Sequence, residues 1–147
     1  LRKRLVKMPK LHFYDTGLAC WLLGVRTPDQ LRSHPLRGAI FETWVVSEVL
    51  KHRTNAGETG GLSFYRDRDG VEADLVVEHA DRLTAVEVKA AATANASLFD
   101  GAARVRGHLT EPSRPAESVI VYGGDAGQRR SDATLTPWSD LHRRTWI

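Results

Sequence analysis

The chain has 147 residues, of which 41% are hydrophobic and 27% are charged, and this balance excludes a disordered, collagen-like or coiled-coil protein. Twenty-one lysines and arginines against 18 acidic residues give a net charge of +3, which by itself is weak evidence for a nucleic-acid partner. The single cysteine, Cys20, excludes an intramolecular disulfide and a cysteine-based zinc cage. With no secretory signal and no apolar run long enough for a membrane span, the sequence predicts a cytoplasmic protein with no membrane contact.

The first ten residues are strongly basic and contain no acid, which indicates a basic linker or the end of a preceding domain over residues 1–10. Residues 11–147 have the size and composition of a single α/β domain. Because the chain begins with leucine rather than methionine, we expect it to be the C-terminal fragment of a longer protein.

The first half of this domain is predicted to be mainly helical. A short strand is expected at 11–14, followed by a helix capped by Asp15 that buries Trp21, Leu22 and Leu23. The strongest periodicity predicts a helix at 38–52, whose apolar stripe contains one carboxylate, Glu42. A short helical piece is predicted between these two helices, at 28–31.

The second half alternates strands with helices. The predicted elements are strands at 62–66, 71–78 and 83–89, a helix at 94–109, strands at 118–122 and 134–136 (the latter at an edge), and a closing helix at 138–144. A helix, three strands, a helix and a strand predict an α/β layered domain with a central mixed sheet of about four strands flanked by helices.

A two-residue turn at 80–81 sets the pairing of the two longest strands, and it places Asp74 opposite Glu87. Lys89 lies two residues beyond Glu87 and so shares its face, which predicts that all three side chains point the same way. The alternate positions of both strands are apolar and predict a core face: Ala73, Leu75 and Val77 against Thr84, Val86 and Val88.

Two carboxylates about 5 Å apart repel unless a cation or a proton lies between them. Mg²⁺ or Mn²⁺ could be held by Asp74, Glu87 and the backbone carbonyl of Val88, with Glu42 completing the site from the helix. Lys89 would then orient or deprotonate a water, or stabilise charge on a phosphate. Ordinary ion pairs on a solvated sheet face are the competing interpretation of the same residues.

The combination of Asp74 with Glu87-Val88-Lys89 on a β-hairpin, after a glutamate-bearing helix, resembles the PD-(D/E)xK nuclease superfamily. That resemblance implies a restriction-endonuclease-like fold and Mg²⁺-dependent hydrolysis of phosphodiester bonds. The blocks KMPKLHFYDTGLACWLLG, GAIFETWVVSEVLK, FYRDRDGVEADLVVE and AVEVKAA, followed by a weaker TPWSDL, together resemble one family, domain of unknown function 4143. This second resemblance implies a covalently linked N-terminal AAA-type ATPase module.

The sequence leaves two functions open. One is a Mg²⁺-dependent endonuclease acting on DNA, and the other is a catalytically inert module of the same fold that binds nucleic acid or a protein and regulates the ATPase. Four arginines are candidate phosphate contacts: Arg66, Arg68, Arg104 and Arg106. The chain has no G-x-x-x-x-G-K-[ST] motif, so we expect any ATP to bind only in the missing N-terminal part.

Overall fold

A computed structural model describes residues 9–147. In chain order, the elements are α1 (Thr16–Leu22), α2 (Pro28–Ser33), α3 (Arg37–Asn55), β1 (Leu62–Arg66), β2 (Glu72–Glu78), β3 (Leu83–Lys89), α4 (Ala96–Leu109), β4 (Ala116–Tyr122), β5 (Gln128–Arg129), β6 (Thr134–Pro137) and a 3₁₀ helix (Trp138–Arg143). Strands β1 and β3 begin and end at the predicted residues, and the bounds of β2, β4 and β6 differ from the predicted ones by at most two residues. No helix among residues 9–147 is both long enough and apolar enough to cross a membrane.

The strands form one mixed sheet in the order β1-β2-β3-β4-β6-β5. β4 runs parallel to both β3 and β6, whereas the β1–β2, β2–β3 and β5–β6 pairs are antiparallel. The sheet therefore has six strands rather than about four. The predicted edge strand, β6, is internal because the two-residue β5 folds back and pairs with it.

Helices cover both faces of the sheet. On one face, Val45 and Val49 of α3 pack against Leu75, Val77 and Val86. On the other face, α4 packs through two apolar clusters, one under β2 and β3 and one under β4 and β6. Helix α4 covers much of the face that carries Glu87 and Lys89, although Lys89 itself is exposed.

A β-bulge in β2 alters the predicted alternation. In the β1–β2 pair, Ser63 lies opposite Val76 but Tyr65 lies opposite Ala73, so β2 has one residue more than β1 between these points. Ala73 consequently packs with Val76 against α4, whereas Leu75 packs toward α3. Grouping Ala73 with Leu75 and Val77 on one core face was therefore wrong, and the irregularity falls at Asp74.

The N-terminal predictions need two corrections. Residues 11–14 form no strand, since no other strand pairs with them. Helix α1 begins as expected, with the Asp15 carboxylate accepting a hydrogen bond from the Leu18 N–H at 3.1 Å. Its buried residue is the small Ala19, however, and Trp21 is 60% exposed. Leu22 and Leu23 are exposed as well, so the expected core side of α1 faces outward.

Candidate functional site

The β2–β3 hairpin has the predicted register. Leu75 pairs with Val86 and Glu78 with Leu83, and the His79 N–H donates to the Arg82 carbonyl across the turn at 3.0 Å. The regular pairing ends at Leu75 and Val86 and does not extend to Asp74 and Glu87.

Just beyond the last regular pair, the side chain of Asp74 accepts a backbone hydrogen bond from β3. Its Oδ2 atom accepts a hydrogen bond from the Val88 N–H at 2.9 Å, so the carboxylate contacts the backbone between Glu87 and Lys89. Bulges commonly re-aim a side chain in this way at functional sites. The bulge therefore brings Asp74 to the middle residue of the Glu-Val-Lys motif.

The second oxygen of Asp74 takes part in a three-residue ionic cluster. Lys10 Nζ lies 3.1 Å from Asp74 Oδ1 and 2.8 Å from Glu42 Oε1. Burial disfavours the charged form of Lys10, but hydrogen bonds and charge from both carboxylates outweigh it and raise the pKa of this amine. Glu42 is half-buried, and its predicted approach to Asp74 occurs through the Lys10 ammonium.

Glu87 and Lys89 form a separate ion pair, with Nζ 2.5 Å from Oε1. Burial raises the pKa of Glu87, and the nearby charge of Asp74 adds to this effect although the hydrogen bond from Lys89 opposes it. Burial lowers the pKa of Lys89, but the hydrogen bond and charge of Glu87 exceed that effect and raise it overall. Lys89 is therefore held as an ammonium ion.

Glu87 and Lys89 line a cavity of about 360 Å³ beside α4. Arg104 lines the same cavity from α4, and Thr93 and Asn95 border it from the loop after β3 and the start of that helix. Among residues 9–147, no hydrogen bond or ion pair joins Asp74 directly to Glu87 or Lys89. This pattern corrects the prediction that all three share one face, since Asp74 instead contacts the α3 side through Lys10 and Glu42.

The donor chemistry suits a hard cation, because carboxylate oxygens and the Val88 carbonyl are ligands that Mg²⁺ prefers. The Lys10 ammonium also shows that a positive charge is favoured between Asp74 and Glu42. Within the described part of the chain, however, no three acidic, histidine or cysteine side chains are grouped closely enough to hold one metal ion. A shared ion thus requires rearrangement of Lys10 and Glu87.

The four candidate arginines differ in their surroundings. Arg66 pairs with Glu72 at 3.5 Å, and Arg106 donates to the Ser131 carbonyl at 2.6 Å, which orients its guanidinium toward the protein. Arg68 is exposed in the β1–β2 turn. Arg104 alone of the four borders the cavity that contains Lys89.

Comparison with known proteins finds a family model that matches most of the chain. A family model described as a domain of unknown function, DUF4143, matches residues 37–141, from the start of α3 into the 3₁₀ helix. The chain belongs to this family. The matched residues contain every candidate site residue, whereas Lys10 and the block at 7–24 lie outside them.

Two curated proteins resemble the DUF4143 chain over a longer stretch. They are the uncharacterised proteins Mb2031c of Mycobacterium bovis and Rv2008c of Mycobacterium tuberculosis, each 29% identical to it over 138 residues. The alignment covers 94% of this chain and 29% of either relative, so the chain spans less than a third of their length.

Lys10 and the polar rim of the cavity were missed by sequence reasoning. Lys10 was assigned to a basic linker, and its partners lie 32 and 64 residues further along the chain. The lack of acid in residues 1–10 suggested a solvated segment, and no local pattern marks one basic residue of five as ion-paired. Thr93 and Asn95 follow β3 in an ordinary loop, where polar residues are the rule.

Proposed function

We propose that this DUF4143 domain is a nuclease-type module of the PD-(D/E)xK class, with a restriction-endonuclease-like core, that hydrolyses phosphodiester bonds in DNA. The observation that carries the proposal is the hydrogen bond from the Val88 N–H to Asp74, at 2.9 Å. It puts a carboxylate against the middle of Glu87-Val88-Lys89, on a hairpin flanked by one helix on each face of the sheet. These are the positions to which the superfamily resemblance assigns the metal-binding carboxylates and the lysine.

The charge of the site supports a need for a divalent cation. Glu42, Asp74 and Glu87 contribute three carboxylates that Lys10 and Lys89 counter, whereas the nearby Glu72 pairs with Arg66. The remaining negative charge repels a phosphate group. Mg²⁺ or Mn²⁺, when bound, would polarise the phosphate and lower the pKa of a water. Asp74, Glu42, Glu87 and the Val88 carbonyl are the groups that would hold the ion.

Lys89 is suited to act as a fixed positive charge rather than as a base. Because Glu87 raises its pKa, it is a poor base for removing a proton from water. As a fixed ammonium beside the cavity, it can orient the attacking water or stabilise negative charge on the phosphate. Arg104, on the opposite wall, can bind a neighbouring phosphate bidentately.

The alternative is an inert module that regulates a partner, and the Lys10 cluster favours it. The Lys10 ammonium already counters part of the negative charge of Asp74 and Glu42. Under either function, we propose a covalently linked AAA-type ATPase module that supplies the ATP chemistry. The two functions differ in whether divalent metal produces cleavage.

The test is cleavage of supercoiled and linear DNA in Mg²⁺ or Mn²⁺, with the 147-residue chain and with the same domain in its ATPase-containing polypeptide plus ATP. Asp74→Asn should lower cleavage at least about 100-fold, because it removes a charged metal ligand. Asp140→Asn is the matched control, since among residues 9–147 Asp140 pairs only with Arg143 on the 3₁₀ helix. Absence of cleavage by both wild-type forms, or cleavage unchanged in Asp74→Asn, would contradict the proposal.

A further inference from the structure

We propose that Lys10 is an intramolecular counter-ion that occupies the cation position between Glu42 and Asp74, so that a divalent metal ion binds there only when Lys10 withdraws. The inference rests on the proposed function in that it concerns the same carboxylates. It goes further by assigning a built-in competitor to the metal, from a segment outside the residues that the family model matches.

The geometry identifies Lys10 as a shared counter-ion. One ammonium nitrogen contacts Glu42 on α3 at 2.8 Å and Asp74 on β2 at 3.1 Å. It also lies 5.9 Å from the centre of the Phe64 ring, which packs an aromatic surface beside the cluster. Two carboxylates from different elements approach one another closely only if a positive charge lies between them. Lys10 supplies that charge without a metal.

The ammonium and a divalent ion cannot occupy this position together. Mg²⁺ binds carboxylate oxygens at about 2.1 Å, so an ion bound to the Lys10-facing oxygens of Asp74 and Glu42 would overlap the space of the Lys10 nitrogen. Repulsion between the two positive charges adds to the steric conflict. The metal therefore has to displace Lys10, and the free energy of the Lys10 contacts is subtracted from that of metal binding.

Displacement of Lys10 does not require the domain to unfold. Lys10 lies in an irregular segment before α1, and its four-carbon stem is flexible. His12, two residues later, is 3.3 Å from the Thr43 hydroxyl on α3, a separate contact that can hold the segment while Lys10 rotates away. The competition therefore takes place at the level of one side chain.

Metal affinity measures this competition directly, without any need for cleavage. Free Mn²⁺ is followed by electron paramagnetic resonance during titration of the 147-residue chain. Lys10→Met should bind Mn²⁺ about tenfold more tightly than wild type, equivalent to about 1.4 kcal/mol, because metal binding no longer has to break the Lys10 ion pairs. Lys10→Arg should stay close to wild type because it retains a cation. Lys51→Met is the control, since Lys51 pairs with the single carboxylate of Glu48 at 2.8 Å.

Further variants and a thermal unfolding measurement make the test independent of the Lys10→Met substitution alone. Lys10→Gln should tighten Mn²⁺ binding as Lys10→Met does, and adding Asp74→Asn to either should abolish the gain. Mn²⁺ should also raise the thermal midpoint of Lys10→Met more than that of wild type, because tighter binding to the native state stabilises it more.

The outcomes separate this inference from the proposed function. Equal Mn²⁺ affinity in wild type, Lys10→Met and Lys10→Gln would overturn the inference, as would tightening in Lys10→Arg. Tighter binding in Lys10→Met with no cleavage of DNA would support the inference and count against the nuclease. Cleavage by wild type, combined with unchanged metal affinity in the Lys10 variants, would support the nuclease and overturn the inference about Lys10.

Discussion

At the scale of single residues, the site contains two ion-paired lysines with different surroundings. Lys89 shares one carboxylate, that of Glu87 on its own strand, and borders an open cavity. Lys10 bridges two carboxylates from separate elements. Lys89 is consequently placed to meet a ligand, whereas Lys10 satisfies charges of the protein itself. Substitution of each should have a different effect on cleavage and on metal binding.

Lys89→Met should lower DNA cleavage at least about 100-fold, because the cavity loses the ammonium that would stabilise a phosphate. Its free energy of unfolding should change by no more than about 1 kcal/mol, since exposed ion pairs contribute little. The measurements are plasmid nicking in Mn²⁺ and urea unfolding. Full activity in Lys89→Met would remove this residue from the site.

At the scale of elements, the C-terminal residues 144–147 contact both α3 and strand β4 of the sheet. Trp146 is 1% exposed, and its carbonyl accepts a hydrogen bond from the buried Arg53 of α3 at 2.7 Å. Glu117 on β4 accepts hydrogen bonds from Thr84 at 2.7 Å and from Arg144 at 2.5 Å. These contacts link three parts of the chain that are far apart in sequence.

Trp146→Ala should lower the free energy of unfolding by about 3–5 kcal/mol, because it leaves a large cavity in the main apolar cluster. Trp138→Ala is the matched control and should cost less than half as much, since Trp138 is 48% exposed. Chemical denaturation measures both values. Equal losses would contradict the burial difference on which this expectation depends.

Glu117 gives the domain a pH dependence. Burial alone would raise its pKa, but hydrogen bonds from Thr84 and Arg144 outweigh burial and lower it below the ordinary 4.5. A carboxyl whose folded pKa is depressed stabilises the fold above about pH 4.5 and loses that contribution as the pH falls through the folded value. Glu117→Gln should therefore be less stable than wild type at pH 7, with the difference vanishing in acid.

The check is thermal unfolding of wild type and Glu117→Gln from pH 7 down to pH 3. Glu111→Gln serves as the control, because the Glu111 side chain is exposed and has no ion-pair partner among residues 9–147. A Glu117→Gln difference that stayed constant with pH would show that its contacts do not depend on charge.

At the scale of the whole molecule, the net charge of the chain and the charge of the candidate site have opposite signs. The chain carries a net charge of +3, yet the candidate site concentrates carboxylates. Polyanion binding therefore has to rely on arginines around the site and on a cation within it. Arg104 is the best placed of these, since it borders the cavity without an ion-pair partner among the described residues.

Arg104→Gln should weaken binding of a DNA oligonucleotide about threefold to tenfold in Ca²⁺, which would support binding with slow cleavage, and should reduce the salt dependence. Arg129→Gln removes the same charge from β5, at the opposite edge of the sheet, and should have less effect. Fluorescence anisotropy at several salt concentrations distinguishes them. Identical losses would indicate non-specific attraction rather than a contact at the cavity.

The local sequence predicted those features that depend on neighbours in the chain. The turn at 80–81 and the apolar alternation defined the β2–β3 register, so the pairs from Glu78–Leu83 to Leu75–Val86 were correctly assigned. The period of α3 and the apolar stripe of α4 were equally visible. Hairpins and amphipathic helices follow from short-range sterics and periodic burial, which a sequence contains in full.

Tertiary structure decided the features that depend on distant partners. The bulge at Asp74 exists only relative to β1, and it turns Ala73 to the other face. The unpredicted strand β5 depends on pairing back onto β6, and Trp21 of α1 is exposed because Ala19 makes the packing contact instead. The Lys10 bridge joins residues up to 64 positions apart. Ion pairs of this kind require two elements to be positioned first, so no local pattern specifies them.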